Sequence, residues 1–185
     1  ITNRTEHSAS SNNTEMLVIG GRSSASNWVT DVHKIHFDNT ATTTLTNNLS
    51  QARENGMSAG TLNNIVYMSG LSSTGAMSTL IENVRYDDAG SAIHNHGVTT
   101  GRQGGHGTGN GTDAIIQGGR ISSGGAINDG EKIRLDDTIA SRALDNTLSA
   151  SRTDGACTTE GRSFIVFGGT RVSSFESVSF DDLSA

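Results

Sequence analysis

Residues 16–21 read MLVIGG, and an apolar run closed by glycine returns three more times along the 185-residue chain, as IVYMSG at 65–70, AIIQGG at 114–119 and FIVFGG at 164–169. The last glycines of these runs are 49, 49 and 50 residues apart. Regular spacing of this size is the sequence signature of a repeat architecture. The chain is therefore predicted to consist of about four similar structural units.

Two further elements recur with the same period. The first alternates apolar and polar residues and ends in an acidic pair, as in IENVRYDD at 81–88 and GEKIRLDD at 130–137. Such alternation predicts a half-buried strand. The second reads LSQARENG at 49–56 and LSASRTDG at 148–155, and it places one arginine in every unit. The repeated arginines are Arg4, Arg53, Arg102 and Arg152.

Each unit has the size of one propeller blade and carries three or four short strands. The predicted fold is all-β: a β-propeller-like array of about four blades of roughly 49 residues, either a closed ring or a segment of a longer array. A ring would close by pairing the first and last strands. One domain is expected over 1–185. Its repeat units are predicted at about 14–63, 64–111, 112–161 and 162–185, the last completed by 1–13.

The composition excludes several classes of protein. Hydrophobic residues make up 32% of the chain, below the roughly 45–50% of ordinary domains, so the core is predicted to be thin layers between blades. A net charge of −6 gives no basic stripe for nucleic acid. No window approaches the roughly 18 apolar residues of a membrane span. The lone Cys157 excludes an internal disulfide framework.

The units resemble kelch repeats, because a glycine doublet follows a strand and an aromatic residue comes about 16 positions later. The resemblance covers essentially the whole chain. It is incomplete, since Thr43, Ala92 and Ser141 stand where kelch repeats usually carry a tryptophan. The variant pattern of GG, I-x-F/Y-D-D and L-S-x-x-R is similar to kelch-like repeats of tailed-bacteriophage virion proteins, particularly those of aquatic phages. The resemblance implies a propeller blade in each unit and a place in a tail- or capsid-attached appendage.

The repeated arginines are predicted to bind carbonyl groups or a carboxylate where adjacent blades meet, since a guanidinium stays charged and offers five donors. The acidic pairs are the expected partners. Ligand binding by arginines that converge on a central channel is the alternative. The blade glycines that end the apolar strands are predicted to form turns, and they are Gly20, Gly21, Gly70, Gly118, Gly119, Gly168 and Gly169.

The remaining polar motifs have a structural and a metal-binding interpretation. The acidic pairs, at 87–88, 136–137 and 181–182, are expected to form Asx turns, and calcium binding is the alternative. His94 and His96 occupy alternate positions of a predicted strand, so they are weak candidates for a shared metal. No cofactor and no other metal site are expected.

The Ser- and Gly-rich gaps at 22–31, 71–80 and 120–129 are predicted to be variable loops on a rigid scaffold, where recognition is usually carried. Trp28, the only tryptophan, lies in the first of them. It is either an exposed binding anchor or a buried packing residue.

No nucleophile, base or metal set has catalytic spacing, so the protein is not expected to be an enzyme. The expected function is a structural or adhesive module of an extracellular assembly, namely a bacteriophage virion appendage such as a tail fibre or a capsid or tail decoration. Its expected partners are other virion proteins and a host glycan or receptor, with homo-oligomers left open and no nucleic acid or membrane insertion. A kelch-type protein-binding adaptor is the first alternative, and a propeller oxidase or hydrolase is the second.

Overall fold

The computed structural model describes residues 3–88, 90–122, 124–159, 161–170 and 172–181. In these ranges every regular element is a β-strand. The described residues contain no apolar helix long enough to cross a bilayer. The strands are β1 (Ser8–Ser11), β2 (Glu15–Ile19), β3 (Arg22–Ser24), β4 (Asn27–Trp28), β5 (Val32–His36), β6 (Thr42–Thr44), β7 (Arg53–Glu54), β8 (Met57–Gly60), β9 (Asn64–Met68), β10 (Leu71–Ser72), β11 (Ile81–Arg85), β12 (Ser91–Ile93), β13 (His106–Gly109), β14 (Asp113–Gln117), β15 (Gly130–Arg134), β16 (Arg142–Ala143), β17 (Ala156–Thr159), β18 (Ser163–Phe167) and β19 (Phe175–Ser179).

Four small antiparallel sheets are arranged as the blades of a four-bladed β-propeller, which confirms the predicted fold class. The strand orders are β1-β2-β5-β6 in blade 1, β8-β9-β11-β12 in blade 2, β13-β14-β15-β16 in blade 3 and β17-β18-β19 in blade 4. The first strand of each blade is the innermost one, and the innermost strands contact each other in the sequence β1, β8, β13, β17.

Each blade takes its strands from one continuous stretch of chain. The sequence pattern assigns residues 1–13 to the fourth repeat unit. Strand β1 instead pairs with β2 in blade 1, with Ser8 opposite Ile19. The reason is local: in the turn between them, Asn12 Oδ1 accepts the backbone N–H of Glu15 at 2.8 Å. Within the described residues β19 pairs only with β18. Among the described strands, β1 and β19 thus lie in different sheets, and the pairing of first and last strands is not found there.

Each blade has two faces, which follow from the alternation of side chains along a strand. In β2, Met16 and Val18 lie on what we call the A face, and Leu17 and Ile19 lie on the B face. The B face of one blade packs on the A face of the next. The residues of the first such junction are Leu17, Ile19, Val32, Leu45, Leu49, Ile65, Tyr67, Val84 and Tyr86.

The next two junctions repeat this arrangement. Between blades 2 and 3, the B-face residues Val66 and Met68 pack against Ala114 and Ile116 of the following A face. Between blades 3 and 4, Ile115 packs against Phe164 and Val166, and Leu144 and Leu148 of the intervening segment join them. The apolar core is thus divided into three thin layers, which explains how a chain with few apolar residues buries enough surface to fold.

Candidate functional site

Three of the repeated arginines, Arg53, Arg102 and Arg152, lie inside the blade junctions. Arg53 has a fully buried side chain, and its Nη1 donates to the carbonyls of Ser69 and Leu80, both at 2.9 Å. Its Nη2 donates to the carboxylate of Glu82. These three partners belong to blade 2, whereas the backbone carbonyl of Arg53 accepts the N–H of Gly21 from blade 1 at 2.8 Å. One residue therefore joins two blades through its side chain and its backbone.

Arg102 and Arg152 make the same contacts one and two junctions further on. Arg102 donates to the carbonyls of Gly118 and Asp129 and to the Glu131 carboxylate. Arg152 donates to the carbonyls of Gly168 and Ser174 and to the carboxylate of Glu176.

The carboxylate partner common to these three arginines is therefore a glutamate near the start of the third blade strand, Glu82, Glu131 or Glu176, and not the predicted acidic pair. The acidic pairs follow the other end of that strand, beyond the reach of the arginine. Each glutamate also accepts a hydrogen bond from a backbone N–H of the segment between blades. For example, the N–H of Ser50 donates to Oε1 of Glu82 at 2.7 Å. Arg102 also donates to the carboxylate of Asp129, at 2.8 Å.

Blade 1 carries a variant of this arrangement. Arg4 donates to the carbonyls of Gly20 and Asp31, both at 3.1 Å, and to the Asp31 carboxylate at 2.6 Å. His33 occupies the position of the glutamates, and its Nε2 lies 2.9 Å from Asp31 Oδ2. Asp31 therefore takes the place of the strand glutamate in blade 1.

A central cavity of about 450 Å³ lies between the innermost strands of the four blades. Its lining contains serine, threonine, glycine, Ala9, Met57, His106 and Cys157. None of the repeated arginines lines this cavity. The described residues therefore do not form a ligand-binding channel of converging arginines. Cys157 Sγ donates to the Gly107 carbonyl at 3.3 Å, and burial raises the pKa of this thiol.

The blade glycines all have positive φ angles, and they are Gly20, Gly21, Gly70, Gly118, Gly119, Gly168 and Gly169. Gly70 shows why glycine is needed at one of these positions. Its φ is +102°, and a Cβ built there would lie 2.7 Å from the backbone oxygen of Glu54. The chain therefore approaches the segment that carries Arg53 more closely than a side chain allows.

The second aspartate of each described acidic pair binds the preceding blade. Asp88 accepts the backbone N–H groups of Thr46, at 3.0 Å, and Asn47, at 3.1 Å. Asp137 accepts those of Asn95 and His96 in the same way. The predicted Asx turn is present at Asp136, which accepts the Thr138 N–H at 3.2 Å. Asp182 lies outside the described residues.

The sequence predicts that His94 and His96 lie in a strand, but strand β12 ends at Ile93, and both histidines follow it. Both direct Nδ1 at the same carboxylate oxygen of Asp137, at 3.6 and 3.1 Å. The described residues contain no group of three or more His, Cys, Asp or Glu side chains arranged to hold a metal ion. Burial lowers the pKa of His94, which favours its neutral form.

Trp28 lies in a two-stranded hairpin formed by β3 and β4, which we call the Trp28 hairpin (residues 22–28). Its indole is half-buried, and the guanidinium of Arg22 lies over the ring, 5.6 Å from the centroid. Residues 23–27 are exposed. Trp28 is therefore both a packing residue at the base of the hairpin and a neighbour of its exposed tip.

An ionic cluster lies beneath this hairpin. Arg22 pairs with both Glu6 and Glu54, at 2.5 Å each. Burial is the main cause that raises the pKa of Glu54 to about 7, and the neighbouring Glu6 adds to it. Sequence reasoning missed this cluster. Its signal is a departure from the repeat, because Glu54 stands where the other units have Thr5, Gln103 and Thr153.

The fold defines the class of protein, a four-bladed β-propeller with a buried arginine at each junction described above. No known protein-family model matches the chain, and no curated protein sequence matches it.

Proposed function

We propose that this protein is a non-enzymatic structural and adhesive module of a larger extracellular assembly. The kelch-like pattern of its repeats, similar to that of tailed-bacteriophage appendage proteins, supports a virion as that assembly. Ser, Thr and Asn together supply 61 of the 185 residues, and only two lysines are present, which suits an exposed, hydroxyl-rich surface. Its partners in this proposal are other virion proteins and a glycan of the host surface.

The observation that carries the proposal is that the repeated charged side chains lie within the blade junctions, whereas the uncharged polar side chains of the loops are exposed. Arg53, Arg102 and Arg152 are buried in the junctions with Glu82 and Glu131, and the partly exposed Glu176 pairs with Arg152; these pairs hold the blades together. The loops between the second and third blade strands project from this frame instead. A rigid frame with exposed variable loops is the usual arrangement of a recognition module.

The Trp28 hairpin has the chemistry that a glycan requires. Ser23, Ser24, Ser26 and Asn27 are exposed, so their hydroxyl and amide groups can exchange hydrogen bonds with sugar hydroxyls. Trp28 supplies an apolar ring beside them, with the guanidinium of Arg22 lying over it. The equivalent positions to Trp28 in blades 2 and 3 are Met77 and Ala126, so blade 1 is the proposed binding blade.

The test is titration of the purified protein with bacterial surface polysaccharides, with the fluorescence of Trp28 as the readout, since this is the only tryptophan. We expect a saturable change in emission with at least one polysaccharide. By calorimetry, Trp28→Ala should weaken that binding at least tenfold. Met77→Ala, in the equivalent hairpin of blade 2, is the matched control and should leave it unchanged.

A different set of outcomes would contradict the proposal. If no polysaccharide or virion protein binds, and the loops bind a peptide instead, the adaptor alternative is favoured. If binding is equally strong in Trp28→Ala, the Trp28 hairpin is not the binding site.

A further inference from the structure

The B face of blade 4 is uncovered, although the same face of every other blade is buried. Phe175 is 73% exposed and Phe167 is 44% exposed, with their ring centroids 6.4 Å apart. The residues at the position of Phe167 in blades 1 and 2 are Ile19 and Met68, and both are fully buried. The difference arises because each of those faces is covered by the A face of the next blade.

The A face of blade 1 is uncovered in part: Val18 and His33 on this face are buried, but its apolar residues near Phe37 are accessible. Phe37 is 49% exposed, whereas its equivalents Tyr86, Leu135 and Phe180 are buried in the three junctions. Met16 on this face is half-buried, and its counterpart Ile65 in blade 2 is fully buried. The two faces that would form a fourth junction therefore both present apolar side chains to solvent.

We propose that these two faces bind each other between copies of the chain, with the B face of blade 4 of one copy packed on the A face of blade 1 of another. The three junctions within the chain indicate that a second copy is the partner. In each of them a B face meets an A face, and none joins two faces of the same kind. A second copy offers the complementary face in the same geometry.

The distribution of aromatic residues supports this pairing. The chain has five phenylalanines, and three of them, Phe37, Phe167 and Phe175, lie exposed on these two faces. The other two, Phe164 and Phe180, are buried in the junction between blades 3 and 4. Exposed apolar clusters of this kind mark interaction sites on soluble proteins.

The chemistry of the B face also suits an apolar partner. The side chains that flank its phenylalanines on the same face are Ile165, Ser177 and Ser179, which carry no charge. Burying this face therefore costs no desolvation of an ionic group. Because the two contacting faces differ, the contact is head-to-tail, and it closes into a ring or extends into a chain. This assembly is independent of what the loops bind.

The experiment measures the mass of the full chain by light scattering and sedimentation over a range of concentrations. We expect wild type to form dimers or larger species. Phe175→Ser combined with Phe167→Ser disables the B face, and Phe37→Ser disables the A face, so each variant alone should be monomeric. A mixture of the two should form a one-to-one heterodimer, since each contributes its intact face. Leu62→Ser, at an exposed leucine in the turn after β8, is the control and should associate like wild type.

Several results would overturn the proposal. These are a wild-type protein that is monomeric at every concentration, a B-face variant that still associates, or a mixture of variants that stays monomeric. The substituted side chains are exposed, so the circular dichroism spectrum should be unchanged. If a variant nevertheless fails to fold, the concentration dependence of the wild-type melting temperature gives the answer, because association raises it with concentration and a monomer shows no such rise.

Discussion

The guanidinium of Arg53 and the carboxylate of Glu82 form an ion pair inside the first blade junction, where both side chains are almost completely removed from water. The carboxylate also accepts the Ser50 N–H, and the guanidinium also donates to two carbonyls. Both carboxylate oxygens of Glu82 and both terminal nitrogens of Arg53 thus have partners within the junction, whereas Arg53 Nε is buried without one. Removing one partner of a buried pair of this kind is strongly destabilising, because the other charge is left buried and unpaired.

Arg53→Ala is expected to lower the free energy of unfolding by about 3–5 kcal/mol, because it leaves the Glu82 carboxylate buried and unpaired. Urea denaturation measures this change. Arg85→Ala is the control: Arg85 pairs with Asp87 on the surface, where such a pair contributes little to stability. Equal effects of the two substitutions would show that the buried pair has no special role.

Gly70→Ala and Gly75→Ala separate backbone strain from steric overlap. Both glycines have positive φ, +102° and +81°, so each alanine costs about 1–2 kcal/mol through its backbone conformation. Only at Gly70 does the new Cβ also meet a backbone oxygen, at 2.7 Å, whereas nothing lies within 4 Å at Gly75. Thermal denaturation should therefore show the larger loss for Gly70→Ala. Equal losses would mean that the segment carrying Glu54 moves aside freely.

Asp88→Ala is expected to destabilise the protein by about 1 kcal/mol, comparable to the loss of a helix cap, because two backbone N–H groups lose their acceptor. Asp88→Asn should lose less, since an amide oxygen still accepts and Asn39 stands at this position in blade 1. Both carboxylate oxygens already have donors. Millimolar calcium should therefore leave the melting temperature unchanged, and a rise that EDTA reverses would favour the calcium alternative.

The period, strand type and blade order could be predicted from the sequence because they depend on local patterns. The glycine-ended strands and the alternating strands each fix a face, and the repetition fixes how faces pair. The assignment of β1 to its blade could not be read from the repeat alone. A repeat has no intrinsic starting point, and the blade boundary is set by the hydrogen bonds of the turn at Asn12.

The partners of polar side chains were harder to predict. The sequence identifies Arg53 as a repeated residue, but its partner Glu82 is 29 residues away, and only the fold brings them together. The sequence pattern predicts that Asp88 lies at a turn, but it does not show that the Asp88 carboxylate accepts hydrogen bonds from Thr46 in the preceding blade. A repeat reveals which residues matter to every blade, whereas contacts between blades depend on three-dimensional spacing.

Glu54 gives the protein an expected pH dependence of stability. Burial raises its pKa from the usual value of 4.5 to about 7, so the folded state binds a proton that the unfolded state releases. Between these two pH values the folded protein holds more protons, and the free energy of unfolding should therefore fall as the pH rises from about 4.5 to 7. Glu54→Gln should remove this part of the pH dependence. Urea denaturation of both proteins at several pH values measures it, and parallel curves for wild type and variant would show that Glu54 titrates normally.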